Sequence, residues 1–227
     1  MNIRYNYIEK SVANTVSVKV VRYMDSGTAE SDRTLLYHGT ITPFETIDTQ
    51  MGFPYKDFGR GFYAGEDRNQ AIGLANNRKA GKLKAFTDGL LQNPLGLSVE
   101  EYEARIVTYV YTYEFNWEMA RCLQDQQLLE MKVFDGPSLE WFDFVIWNRD
   151  TEPTIHGFDI VVGPTVNDDV TLVVSRYLAG RYGSVTSETA KRKALKDLKV
   201  EKLGIQFYFR SSVAVSLISR VREEVIT

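Results

Sequence analysis

The sequence predicts an α+β fold, and three observations support this prediction. Segments with strand periodicity and segments with helical periodicity both occur along the 227 residues. They do not follow the regular alternation expected of βαβ units, which favours α+β over a doubly wound parallel sheet. Apolar residues make up 44% of the chain and charged residues 25%, so the chain can bury a full core.

Strand patterns recur through the main body of the chain. The clearest is VTYVYTYEF at residues 107–115, where β-branched and aromatic residues alternate. A buried strand is predicted at residues 158–162, ended by Gly163-Pro164. Further strands are predicted at residues 34–38, at a short segment opened by Phe62 and Tyr63, and at residues 204–209.

Helices are predicted between these strands. In residues 67–79, helical spacing places Ala71, Leu74 and Ala75 on one face. The acidic pair Glu66-Asp67 suits the start of that helix. The other predicted helices cover residues 138–147, 168–178 and 187–198, with a terminal helix capped by Ser211 or Ser212. Trp141, Phe144 and Trp147 are expected to form an aromatic wall, and Arg149 a structural ion pair.

The chain is predicted to consist of an extension, residues 1–33, and one domain, residues 34–227. Residues 16–23 could form a strand, and residues 24–33 have the polar character of a linker. The first ten residues lack the apolar core of a signal peptide, and Cys122 is the single cysteine. No run approaches the roughly 20 apolar residues that span a bilayer. A cytoplasmic protein without a membrane partner is therefore expected.

Three segments could carry chemistry. In Tyr37-His38-Gly39-Thr40, the imidazole stands beside a glycine that lets a ligand approach the backbone. In DFGRGFY, residues 57–63, two glycines precede an aromatic ring able to stack on a planar ligand. Gln206 is a polar residue within an apolar strand, so it either bonds the backbone or faces a site. A purely structural role stays open for each segment.

Several other kinds of site are disfavoured by the residues present. Two histidines, His38 and His156, and one cysteine are too few for a zinc site without suitably spaced carboxylates, so no metal is expected. No GxSxG elbow marks a serine hydrolase. The glycines at 59 and 61 are not followed by the Gly-Lys-Ser/Thr of a P-loop, nor do they complete a dinucleotide fingerprint. A net charge of −3 argues against binding nucleic acid through charge alone.

Six sequence segments, taken together in their order along the chain, indicate a protein family more specifically than any one of them. They are LYHGT, DFGRGFYAGEDRNQAIGLA, VYTYEF, WFDFVIWNR, FDIVVGPTVNDD and IQFYF. Together they resemble the DUF3990 family of bacterial ADP-ribosyltransferase-like domains, over about residues 35–218. The resemblance implies a split β-sheet with flanking helices and a central NAD cleft. It leaves the first 34 residues unexplained.

The resemblance also implies roles for individual residues. His38 would bond a ribose hydroxyl of NAD, and the backbone of Gly39 would hold the nicotinamide amide. Tyr63 would stack on the nicotinamide ring. Arg60 could pair with the pyrophosphate. Thr40 and Gly61 complete the expected contacts with NAD, which acts as a co-substrate.

By the same resemblance, Gln206 lies on the strand where the third catalytic residue of the superfamily, usually an acid, is expected. Cleavage of the nicotinamide–ribose bond builds an oxocarbenium-like cation, which a carboxylate stabilises. A glutamine can orient a hydroxyl but supplies no charge. Either another acid fills this role, with Asp168 and Asp169 the candidates by motif, or the chemistry is slow or absent.

The function expected from the resemblance is mono-ADP-ribosylation of a macromolecule, either protein or nucleic acid. Two alternatives stay open. One is an NAD glycohydrolase, with water as acceptor. The other is a non-catalytic module that binds NAD or ADP-ribose, which Gln206 favours. By analogy with the family, the chain could also be the toxin of a toxin–antitoxin pair, and its partner would then be an antitoxin protein.

Overall fold

The computed structural model describes residues 32–150, 156–166, 168–198 and 203–226, and two short strands near the N-terminus. The chain divides into two compact units, Met1–Ser31 and Asp32–Thr227. In the first unit, β1 (Ser11–Val12) pairs antiparallel with β2 (Thr15–Val16). The rest of the strand predicted at 16–23, and the linker predicted at 24–33 up to residue 31, lie outside the described residues.

Seven strands form the sheet of the second unit, in the order β6-β7-β8-β4-β3-β5-β9. Neighbouring strands are antiparallel except β6 and β7, which are parallel. The strands are β3 (Arg33–Thr40), β4 (Phe62–Gly65), β5 (Thr108–Asn116), β6 (Met131–Val133), β7 (Ile160–Pro164), β8 (Ile205–Phe209) and β9 (Ile218–Ile226).

The sheet is divided between β3 and β4. β3 pairs with β5 along its whole length, from Arg33 to Thr40, and all four residues of β4 pair with β8. Between β3 and β4, in contrast, the only residues in register are Tyr37 and Gly65. The two halves, β6-β7-β8-β4 and β3-β5-β9, therefore pair in register at a single residue pair.

Seven helices flank the sheet within the described residues. Asp67 caps the first of them by accepting hydrogen bonds from the backbone N–H groups of Asn69 and Gln70. Ser98 and Glu101 form a capping box at the second helix. The helices are α1 (Arg68–Thr87), α2 (Val99–Ala104), α3 (Trp117–Asp125), α4 (Leu139–Asp150), α5 (Asp168–Leu178), α6 (Glu188–Lys196) and α7 (Ser212–Val215). None of the described helices is long and apolar enough to cross a membrane.

Two hydrophobic clusters form the core. Phe207 and Phe209 of β8 lie in one cluster, with Phe115 of β5. Tyr208 lies in the other, with Phe58 and Trp141. Because successive side chains of a strand point to opposite faces, Gln206 shares the face of Tyr208, as the sequence predicts.

The predicted α+β class is confirmed, and most predicted elements are found within one or two residues of their expected ends. The three apolar residues placed on one face of α1 differ in burial: Ala71 and Ala75 are buried, whereas Leu74 is 51% exposed. The strand predicted to end before Gly163-Pro164 in fact includes both residues, since Pro164 pairs with Ile205. A proline is tolerated there because it stands at the end of the strand.

The predicted terminal helix is wrong beyond its first turn. Ser211 does cap a helix, by accepting a hydrogen bond from the backbone N–H of Ala214, but α7 is only four residues long. β9 follows and pairs with β5 as an edge strand of the sheet. Most of β9 is at least partly exposed, so its own sequence lacks the apolar alternation of a half-buried strand.

Candidate functional site

A cleft of about 450 Å³ lies where the two halves of the sheet part. His38 and Gly39 of β3 line it on one side of the division, and Tyr63 of β4 and Gln206 of β8 on the other. Residues of α1 complete the wall. The three residues predicted to be catalytic, His38, Tyr63 and Gln206, are thus brought together from three strands.

His38 bridges the division of the sheet. Its Nδ1 lies 2.6 Å from the carbonyl oxygen of Tyr63. A carbonyl only accepts hydrogen bonds, so Nδ1 carries the proton and Nε2 of the neutral ring is an acceptor. Burial lowers the pKa of His38 to about 4, and the cations Arg78 and Lys56 add to this effect. The imidazole is therefore neutral at physiological pH.

Tyr63 is held by its hydroxyl group. The hydroxyl donates to the carbonyl of Gly59 at 2.7 Å and accepts from the N–H of Phe58 at 3.0 Å. Burial raises the pKa of Tyr63 well above its usual value, and Asp57 acts in the same direction. Since the hydroxyl is neutral and already bonded, what Tyr63 can offer a ligand is the face of its ring.

Gly39 allows α1 to approach β3 closely. A Cβ atom at this position would lie 1.8 Å from the carbonyl oxygen of Ala71. The carbonyl of Gly39 accepts a hydrogen bond of 2.6 Å from the guanidinium of Arg78, also on α1. The glycine therefore has a packing reason as well as its predicted role in ligand binding.

Gln206 faces a carboxylate. Its Nε2 donates to Asp57 Oδ2 at 3.0 Å, and the carbonyl of Pro164 lies 3.4 Å from the same nitrogen. Asp57 is also paired with Arg149, whose Nη2 lies 2.6 Å from Oδ1. Arg149 thus forms the structural ion pair that the sequence predicts, and all three side chains line the cleft.

Two further cations line the cleft, Lys56 and Arg78. The ammonium of Lys56 lies 5.0 Å from the centre of the Tyr63 ring, within the range of a cation–π contact. Burial lowers the pKa of Lys56, and the neighbouring Arg78 lowers it further. With these two cations, the cleft can attract an anionic ligand such as a phosphate.

Other residues predicted for the site lie outside the cleft lining. Arg60 is exposed and contributes its carbonyl oxygen to Tyr208. Gly61 packs under Tyr208, where a Cβ atom would lie 2.3 Å from ring carbon Cε2. The hydroxyl of Thr40 closes a turn with Thr42.

Of the two acids suggested by motif for the third position, Asp169 is exposed at the start of α5 and does not line the cleft. Asp168 is the first residue of that helix. Among the described residues no group of three or more His, Cys, Asp or Glu side chains could hold a metal ion.

Comparison with known proteins identifies the family. The family described as "Protein of unknown function (DUF3990)" matches residues 34–219. The chain belongs to the DUF3990 family. No curated protein and no solved structure matches it. The matched range begins within β3 and ends two residues into β9, so it covers β4 to β8 completely and nearly all of β3.

The sequence pointed to only part of the cleft of this DUF3990 protein. It missed Lys56, Asp57 and Arg78 as lining residues. Asp57 had one signal, its place at the start of the DFGRGFY segment beside Gly59 and Tyr63. No signal in the sequence marked Arg78 as a cleft residue, because an arginine near the end of an amphipathic pattern usually lies in solvent.

Proposed function

We propose that this DUF3990 protein is an NAD-dependent mono-ADP-ribosyltransferase that modifies a macromolecule, with NAD bound in the cleft between the sheet halves. One observation carries the proposal: His38, Tyr63 and Gln206, which the family resemblance assigns to NAD, line one cleft at the division of the sheet. A sheet divided in this way is also what the ADP-ribosyltransferase-like fold would require.

The contacts of His38 and Tyr63 support their proposed roles. The neutral imidazole has Nδ1 bonded to the carbonyl of Tyr63, which leaves Nε2 to accept a hydrogen bond from a ribose hydroxyl. The Tyr63 ring is anchored at its hydroxyl, so its face is preorganised for the nicotinamide. Lys56, now over that ring, would swing aside on binding and pair with the pyrophosphate together with Arg78.

The chemistry at the third position is orientation without charge. In the proposed reaction the nicotinamide–ribose bond breaks, the ribose carbon becomes cationic, and an acceptor nucleophile adds to it. Gln206 would hold a ribose hydroxyl through its amide oxygen. Losing one preorganised electrostatic contact costs roughly 3–4 kcal/mol. We therefore expect turnover about 100- to 1,000-fold slower than an otherwise equal site with an acid at this position.

The test is nicotinamide release from NAD by the purified protein, with and without cell lysate. Three variants remove one proposed contact each. In His38→Asn, the Asn amide can still donate to the Tyr63 carbonyl but Nε2 is gone, so release should fall about tenfold or more. Tyr63→Leu removes the ring and should lower nicotinamide release by a similar factor. Gln206→Ala removes the amide.

Tyr63→Phe is the matched control. It keeps the ring but gives up the hydroxyl bonds to Gly59 and Phe58, so it should lose about 1–2 kcal/mol of stability and, when folded, release more nicotinamide than Tyr63→Leu. Release that survives in both His38→Asn and Tyr63→Leu would contradict the proposed site. Thermal melts check that each variant folds.

Lysate separates the candidate reactions. Release that depends on lysate, with labelled ADP-ribose appearing on protein or nucleic acid, supports transfer. Release without any labelled acceptor indicates an NAD glycohydrolase. NAD binding without release indicates a binding module, which the neutral Gln206 favours. Growth arrest on expression without a partner gene would support a toxin restrained by an antitoxin, and normal growth would count against it.

A further inference from the structure

We propose that Asp57 is a positioning residue of this site, an inference that rests on the proposed function. Its carboxylate turns the amide of Gln206 so that the carbonyl oxygen of Gln206, and not its NH₂ group, faces the ribose hydroxyl of the bound nucleotide. Asp57 lies 149 positions from Gln206 in the sequence and belongs to the loop before β4.

Asp57 is itself fixed from the opposite side. Arg149 of α4 donates to Asp57 Oδ1 through Nε at 2.8 Å and lies 2.6 Å from it through Nη2. The same guanidinium donates to the hydroxyl of Thr171 on α5 at 3.2 Å. Because both of these contacts with Arg149 use Oδ1, Oδ2 is left for Gln206. Asp57 is 8% exposed, so the geometry does not depend on a flexible surface side chain.

The neighbours of Gln206 dictate the orientation of its amide. Nε2 lies 3.0 Å from a carboxylate oxygen of Asp57 and 3.4 Å from the carbonyl of Pro164. Both neighbours can only accept, so the NH₂ group must face them. Turning the amide over would place Oε1 against these oxygens and leave buried acceptors unpaired, which costs about 1–3 kcal/mol.

The amide oxygen is available to a ligand. Within the part of the chain that the structure describes, Oε1 of Gln206 accepts no hydrogen bond, and Gln206 lines the cleft. A carbonyl oxygen with its N–H groups already engaged presents partial negative charge to the cleft. This supplies the acceptor that a hydroxyl requires.

Asp57 also explains why a neutral residue stands at position 206. A carboxylate there would place two acidic oxygens about as far apart as the 3.0 Å that now separates Gln206 Nε2 from Asp57. Two carboxylates that close cannot both ionise readily, so one would be protonated. Acid and amide thus work as a pair, which predicts that exchanging them keeps the site functional.

The experiment is a double-mutant cycle on the full chain, with Asp57→Asn, Gln206→Glu and the two combined. In Asp57→Asn, Arg149 holds the Asn oxygen, so the Asn NH₂ group meets Gln206 and turns its amide over. The NH₂ of Gln206 then faces the ribose hydroxyl, and kcat for nicotinamide release should fall roughly 10- to 100-fold. Gln206→Glu should also lose activity, because it opposes two carboxylates.

The combined variant should recover the wild-type rate or exceed it, because Glu at 206 can accept from Asn at 57 and keep a charged oxygen toward the cleft. A residue with only a structural role would give additive losses instead. The NAD affinity of the wild type and of each variant is also measured by calorimetry, so that slow turnover does not hide the coupling between the two residues. The control is Asp143→Asn. It removes the charge of an exposed α4 residue that pairs with Lys191, and its turnover and NAD affinity should match those of the wild type.

Two outcomes overturn the inference alone. One is an Asp57→Asn variant that keeps wild-type turnover and NAD affinity. The other is a combined variant whose turnover and NAD affinity are no higher than those of the less active single variant. A wild-type protein that neither binds NAD nor releases nicotinamide overturns the proposed function, and the inference with it. The wild-type measurement therefore distinguishes the two failures.

Discussion

At His38, burial and one hydrogen bond determine both the charge and the tautomer of the ring. The contact between Nδ1 and the Tyr63 carbonyl takes the place of ladder bonds that β3 and β4 do not form at this point. Burial costs the charged form its solvation, which lowers the pKa to about 4. The same residue thus joins the two halves of the sheet and presents a neutral acceptor to the cleft.

This charge state predicts a pH dependence of stability. The unfolded chain binds a proton at His38 near pH 6.5, whereas the folded protein does so only near pH 4. As pH falls through this window the unfolded state binds more protons, so His38 destabilises the fold by up to about 3 kcal/mol. As the pH is lowered, the free energy of unfolding should therefore fall more steeply in the wild type than in His38→Asn.

Urea unfolding from pH 7.5 to 4.5 measures this difference. Burial also lowers the pKa of His156, but that residue is present in both proteins and its effect cancels. Parallel stability curves for the wild type and His38→Asn would show that His38 has an ordinary pKa.

At the scale of elements, the position of α1 against β3 forms one wall of the cleft. Ala71 and Ala75 are buried against the strand, and Gly39 has no side chain to hold the helix away. Arg68 at the start of α1 pairs with Glu224 of β9. α1 is therefore connected to both β3 and β9, which belong to the same half of the sheet.

Two glycine substitutions test this packing. Gly39→Ala places a methyl group 1.8 Å from the Ala71 carbonyl and should lower the free energy of unfolding by about 3 kcal/mol or more. Gly81→Ala, within α1, meets nothing within 4 Å and should raise it by roughly 0.5–1 kcal/mol through helix propensity. Chemical denaturation compares the two. A Gly39→Ala protein as stable as the wild type would refute the close approach.

At the scale of the whole molecule, the chain carries a net charge of −3, yet the cations Lys56, Arg78 and Arg149 outnumber the carboxylates Asp57 and Asp67 in its cleft. Such a local field concentrates anionic ligands at the site even on an acidic protein. Arg60, the cation that the sequence predicted for this role, is exposed and does not line the cleft.

Charge variants should distinguish these cations. We expect Lys56→Gln and Arg78→Gln each to weaken ADP-ribose binding by roughly 5- to 10-fold, and to flatten its dependence on salt, because each removes a phosphate partner. Arg60→Gln should stay within about twofold of the wild type. Calorimetric titrations at low and high salt measure both effects. An Arg60→Gln variant as impaired as the other two would place the phosphates elsewhere.

Local pattern was sufficient for much of the fold. The alternation in VTYVYTYEF, the spacing of Ala71 and Ala75 and the cap at Asp67 are encoded within a few residues, and β5 and α1 lie where these signals predict. The order of the six sequence blocks also led to the DUF3990 family, which the matched range confirms.

Features that depend on distant partners could not be predicted in this way. β9 is a strand because β5 offers it an edge, and the charged sequence of β9 carries no comparable signal. Asp57 belongs to the site because Gln206 and Arg149 converge on it from far along the chain.

The sequence by itself determined the fold class, the main elements and the candidate residues His38, Tyr63 and Gln206, because periodicity and motif order are local properties of the chain. Only the tertiary structure decided that β3 and β4 pair in register at Tyr37 and Gly65 alone, and that these three residues line one cleft beside that pair. It also decided that the carboxylate beside Gln206 is Asp57. These features arise from contacts between residues far apart in the chain, which become favourable only once packing has brought their elements together.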